Sequence, residues 1–74
     1  MTTYVINRSG ATLPVEIEFP NDPSRAKEFV FIQTKSKAIL PSGSRVTPEY
    51  AAVNGKVLTV TTVDGLGEPA ISDQ

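Results

Sequence analysis

Two glutamates come nearest to a catalytic constellation in this chain. Glu16 and Glu18 alternate with Val15 and Ile17. On an extended strand they project from one side about 7 Å apart, two rises of about 3.3 Å each. That spacing lies in the range of glycosidase carboxylate pairs, but those face each other across a cleft that holds the sugar. Side by side on one strand, the two carboxylates read as a solubilising outer face.

The other candidates fail on similar grounds. Ser36 and Lys37 could be imagined as a nucleophile and base, yet adjacent strand residues point to opposite faces. Gly55-Lys56 lacks both the upstream glycine and the following hydroxyl residue of a phosphate-binding loop. Asp64-Gly65-Leu66-Gly67 offers one acidic oxygen donor where a calcium loop uses several. Asn7-Arg8-Ser9 fits a glycosylation sequon, but Met1-Thr2-Thr3-Tyr4 shows no basic segment followed by an apolar core, so a secretory route is not expected. The 74 residues contain neither Cys nor His. That removes disulfides, the usual proton carrier near neutral pH and nearly every zinc, iron or copper site. The expectation is a protein that is not an enzyme and uses no cofactor, metal or small-molecule substrate.

The elements that would carry a function are short. Thr2 to Ile6 is rich in β-formers and ends at the turn signal Asn7-Arg8-Ser9-Gly10. Leu13 to Phe19 alternates apolar and polar, the period of a half-buried strand. Pro14 places that strand at an edge or at its own beginning, and the first two strands read as a hairpin. Pro20-Asn21-Asp22-Pro23-Ser24 breaks the sheet, with room for one helical turn over 24–27. Phe29 to Gln33 is the most hydrophobic stretch and reads as a central strand, apolar on both faces. Ala38-Ile39-Leu40 is another short strand, and Pro41-Ser42-Gly43 a tight turn. A short turn or helix is expected at 48–52 after Pro48, then a tight reversal at Asn54-Gly55. Lys56 to Val63, dense in Val, Leu and Thr, is a strand. From Asp64 on, Gly, Pro and acids dominate.

These signals define an all-β fold, a small antiparallel sandwich or partly open barrel of five to six short strands. Residues 1–63 form the β-domain and 64–74 an extended or flexible C-terminal tail. Tyr4, Phe19, Phe29, Phe31, Leu40 and Val60 are the expected core. A domain of this size hides only about 60% of the surface its unfolded chain exposes, so burial against a partner would help to stabilise it.

Charge is segregated although the net value is −1. Residues 1–24 are net acidic, with Arg8 against Glu16, Glu18 and Asp22. Residues 25–45 are basic, with Arg25, Lys27, Lys35, Lys37 and Arg45 against Glu28. Residues 46–74 are acidic again, with Lys56 against Glu49, Asp64, Glu68 and Asp73. Segregation of this kind steers partners or lets copies meet head to tail. The apolar run Phe29–Ile32 is too short to cross a membrane, so no membrane partner is expected. Nucleic-acid binding is disfavoured: single-strand surfaces combine cations with stacking aromatics, whereas Phe29 and Phe31 read as core and the chain is slightly acidic.

The segment from Ile32 to Pro48 carries a basic strand (Lys35-Ser36-Lys37) into Leu40-Pro41-Ser42-Gly43, then Val46-Thr47-Pro48. It resembles a pattern in small virion proteins of tailed bacteriophages, in which a basic strand leads into Leu-Pro-x-Gly, a hydrophobic residue, one spacer and Pro. Asn7-Arg8-Ser9-Gly10 followed by an alternating strand is similar to the opening of short phage β-domains. The resemblance implies a small accessory virion component, a capsid decoration (cement) or tail protein. Such a component would be assembled in the host cytoplasm and bind many copies of a larger scaffold protein. The corresponding expectation is a noncatalytic structural protein whose partners are that scaffold and copies of itself. The resemblance transfers no residue set. The partner-binding candidates come from the charge pattern, Arg25, Lys27, Lys35, Lys37 and Arg45, and from apolar residues that a solvated surface or tail does not explain, Tyr50, Leu66, Pro69 and Ile71. The alternative is a cytoplasmic inhibitor or adaptor that occupies one host protein, mimicking an acidic ligand through Asp64, Glu68 and Asp73.

Overall fold

A computed structural model describes residues 1–65 and 67–71. The strands are β1 (Thr2–Asn7), β2 (Leu13–Glu18), β3 (Glu28–Ile32), β4 (Ser36–Ile39), β5 (Arg45–Val46) and β6 (Leu58–Val63), with one helix, α1 (Pro48–Asn54). They form two antiparallel three-stranded sheets, ordered β4-β1-β6 and β3-β2-β5. Val5 and Leu58 of the first sheet pack against Val15, Ile17, Ile32 and Val46 of the second, with Phe19 and Leu40 closing the core. The fold is the sandwich expected of the sequence, not a closed barrel.

Each sheet is organised by its middle strand. In β2 the alternation works as read: Val15 and Ile17 are fully buried while Pro14, Glu16 and Glu18 face outward. This strand nevertheless lies in the middle of its sheet. β5 pairs only with Ile17 and Glu18, so Pro14 sits beside a flank that no strand reaches, and its missing N–H leaves no ladder bond unmade. β1 is buried on both faces over Tyr4–Asn7. Val5 faces the sandwich core, and Tyr4 and Ile6 must be covered from the other side.

The expected hairpin of β1 with β2 does not form; the two strands belong to different sheets. Asn7 explains why. Its fully buried side chain donates to the carbonyls of Ala11 (2.9 Å) and Ile32 (2.8 Å). Its Oδ1 accepts from the Ser9 N–H (2.9 Å) and hydroxyl (2.6 Å). The connection is thus folded around one amide and turned from the first sheet into the second, with every valence of Asn7 filled.

Two other local expectations change. Residues 19–25 hold successive turns closed by Asp22 N–H to Phe19 O and Arg25 N–H to Asp22 O (both 3.0 Å), without a helical turn. Asn54-Gly55 ends α1 and does not close a hairpin. Gly55 keeps right-handed helical backbone, Asn54 Nδ2 bonds the Tyr50 carbonyl at 3.1 Å, and β6 pairs with β1. The helix starts as Pro48 predicts: buried Thr47 caps it, accepting from the Tyr50 N–H, with proline at the first position. Ser44 N–H to Pro41 O (3.1 Å) closes the Ser42-Gly43 turn, and Gly43 supplies the positive φ of 81° it needs.

Candidate functional site

Three of the six expected core residues are not buried. Phe29 is 57% exposed, Phe31 71% and Val60 46%, whereas Tyr4, Phe19 and Leu40 are buried. The register gives the reason. Val30 lies opposite Val15 and Ile32 opposite Leu13 on the inward face, so Phe29 and Phe31 stand opposite Glu16 and Pro14 on the outward one. A strand apolar on both faces is satisfied only where both faces are covered, and this two-layer fold covers one. Val60 has the inward parity of Val5 but lies on β6, an edge strand of its sheet.

β3 is also an edge strand, and the ladder shows which of its main-chain groups are open. Thr47 N–H donates to Glu16 O at 3.1 Å, so the main-chain groups of Glu16 point toward β5. By the alternation of an antiparallel ladder, Val15 and Ile17 bond to β3 through Val30 and Glu28. The N–H and C=O groups of Phe29 and Phe31 therefore point away from β2, toward solvent. Aromatic side chains and unpaired main chain coincide at the same two residues. This surface escapes sequence reading because Phe29-Val30-Phe31-Ile32 has no polar alternate residue to reveal its parity; the only signal was an apolar run too strong for a two-layer domain.

Most of the cations picked out from the sequence are bound within the chain. Arg25 lies 3.6 Å from the centre of the Phe19 ring and 3.2 Å from Glu28. Arg45 meets Glu18 at 2.7 Å. Lys35, itself at a positive φ of 56°, donates to the Arg8 carbonyl at 2.8 Å. Lys37 donates to the Pro69 carbonyl at 2.7 Å, pairs with Glu68 at 3.1 Å and stands 5.9 Å from the Tyr4 ring centre. Lys27 is exposed. Tyr50 packs, half-buried, against the core from α1, and burial raises its phenol above the ordinary 10.0. The cross-strand neighbours of the two phenylalanines on the outward face are Pro14 and Glu16. Glu16 accepts from the Thr47 hydroxyl at 2.9 Å, whereas Glu18 and Glu28 are paired with Arg45 and Arg25.

Pro69 and Ile71 are placed on the domain itself. Arg8 donates to the Ile71 carbonyl at 2.8 Å and to Thr59 at 3.1 Å. Lys37 is in register with Ile6, so Arg8 and Lys37 hold the chain over 69–71 across the outer face of the first sheet. Tyr4 and Ile6, 7% and 1% exposed, lie under that strap. Leu66 and Asp73 lie outside the described residues, and Glu68 is engaged by Lys37.

An open groove of about 340 Å³ between Thr2-Thr3 and the 39–44 segment is lined by hydroxyls and aliphatic groups, without an ionisable side chain. Among the described residues, no cluster of three carboxylates could hold a metal ion. No helix of the described residues is long and apolar enough to cross a membrane. Comparison with protein-family models, curated proteins and solved structures finds no match.

Proposed function

We propose that this protein is a noncatalytic assembly component, a small β-sandwich that works by docking on a larger protein in many copies. The virion accessory role implied by the Ile32–Pro48 resemblance is the form of that activity we favour. The observation that carries the reading is the pair Phe29 and Phe31, exposed on an unpaired edge strand. Solvated aromatics of this kind mark interaction surfaces, and an open edge supplies main-chain bonds to a partner. Glu16 stands directly beside Phe29, and Arg25 and Arg45 are already paired with Glu28 and Glu18, which disfavours a phosphate backbone that needs cations at the stacking surface.

The test is sedimentation of native particles from producing cells. The chain should travel with a large assembly in a fixed ratio, and the Phe29→Thr/Phe31→Thr variant should remain at the top of the gradient. A one-to-one complex with a single soluble protein, or a variant that still enters the particle at full ratio, would contradict the reading.

A further inference from the structure

The four edge strands of the two sheets are not equally protected. β4 carries Ser36 and Lys37, β5 is two residues long, and β6 has three threonines. Charge, shortness and polarity are the usual defences of an edge. β3 has a charge only at its first residue, Glu28, and its centre, Phe29-Val30-Phe31, has no polar side chain. We propose that β3 is a self-pairing edge, and that its occupant is β3 of a second copy of this chain, joined antiparallel across a two-fold axis at Val30. The proposal rests on the reading above that this edge carries the docking function, and deepens it. The β3-paired dimer is the unit that docks on the larger protein, and loss of Phe29 and Phe31 keeps the chain out of the particle by preventing that dimer.

Self-complementarity follows from the open groups. A strand added to β3 must present its own outward main chain to Phe29 and Phe31. In a symmetric antiparallel pair centred on Val30, Phe29 lies opposite Phe31 of the partner copy and Phe31 opposite Phe29. Both are then hydrogen-bonded pairs, so every open N–H and C=O of the two phenylalanines in each strand is used. Moving the axis one residue to either side sets Phe29 or Phe31 against itself and strands the other ring. In the centred register the aromatic side chains form two cross-strand pairs on the outer face. Glu28 faces Ile32 of the partner copy and Lys27 faces Gln33, so no like charges stand opposite. The two sheets merge into one of six strands, with both Pro14 residues flanking the aromatic row.

Five residues a side make a small contact, below the roughly 1,200 Å² of standard stable interfaces. The dimer is therefore concentration-dependent, with a Kd of roughly 1 μM to 1 mM. Sedimentation equilibrium of the full chain should show the 7.9 kDa protomer at low concentration and twice that mass at high. Phe31→Thr should raise the dimer Kd by at least about tenfold, because a two-fold axis removes two ring pairs with one substitution. The chain has no cysteine, so register can be read by oxidation. Val30→Cys should cross-link to itself, the facing Cα distance of about 4.5 Å lying within disulfide reach. Lys27→Cys should link to Gln33→Cys in a mixture and to neither alone.

A chain that stays monomeric up to about 1 mM, or a dimer indifferent to Phe31→Thr, overturns the proposal. So does a monomer that takes an added extended peptide of alternating apolar residues at β3, since the occupant is then a foreign strand. Monomeric chains that still enter native particles through Phe29 and Phe31 would leave the docking reading standing and remove only the second copy. Dimers that enter no particle would do the reverse.

Discussion

Replacing both exposed phenylalanines should leave the fold nearly untouched, whereas replacing the buried one should not. Full burial of such a side chain stabilises by about 1.5–3 kcal/mol. With Phe31 71% and Phe29 57% exposed, the fraction realised in the protomer is about 0.4–0.9 and about 0.6–1.3 kcal/mol respectively. Threonine retains strand propensity, so Phe29→Thr/Phe31→Thr loses at most about 2 kcal/mol. Phe19 is 7% exposed, with the Arg25 guanidinium on its ring, and Phe19→Ala should lose about 3–5 kcal/mol. A domain this size has about 4–11 kcal/mol in all, so the second variant approaches unfolding and the first does not. Urea titration by far-ultraviolet circular dichroism, at protein concentrations low enough to keep the chain monomeric, reads both midpoints. A double variant that loses as much as Phe19→Ala would show that Phe29 and Phe31 hold the protomer together, and the argument for a docking surface would collapse.

The remaining predictions address the parts that frame this surface. Asn7→Ala removes the amide's bonds to the Ala11 and Ile32 carbonyls and to Ser9 and so releases the 8–12 connection; about 2–4 kcal/mol should be lost in the same urea titration, and a loss under about 1 kcal/mol would refute the role given to this amide. Truncation after Val63 removes the strap over Tyr4 and Ile6, so the shortened chain should bind a hydrophobic dye and melt at lower temperature; unchanged melting would show that these side chains are covered in some other way. Tyr50 has a folded pKa raised by burial, so its contribution to stability is complete below pH 10 and is lost as pH climbs through the folded value. Tyr50→Phe should flatten the alkaline limb of a stability–pH curve, and an unaltered limb would assign that limb to other groups.

How far the fold could be read depended on whether each strand had a wet face. β2 was legible because Glu16 and Glu18 mark its parity, and α1 because Thr47-Pro48 both caps and starts a helix. The Ser42-Gly43 turn followed from glycine's access to positive φ. β3 was misread because four consecutive apolar residues carry no parity; burial of Phe29 and Phe31 was then assumed where the register permits only Val30 and Ile32. The hairpin expected between β1 and β2 failed for a different reason. Asn7 reaches Ile32, twenty-five residues away, and a contact that distant in sequence leaves no local mark. Asn54-Gly55 misled because the same dipeptide that favours a hairpin also ends a helix.

The central claim concerns two peptide groups, and amide hydrogen exchange measured residue by residue tests it most directly. In dilute protomer the Phe29 and Phe31 amides should exchange fast while that of Val30, bonded to β2, exchanges slowly. On assembly both phenylalanine amides should slow and Val30 should change little. Protection of Phe29 and Phe31 already in the monomer, or fast exchange retained in the assembled state, would contradict the account.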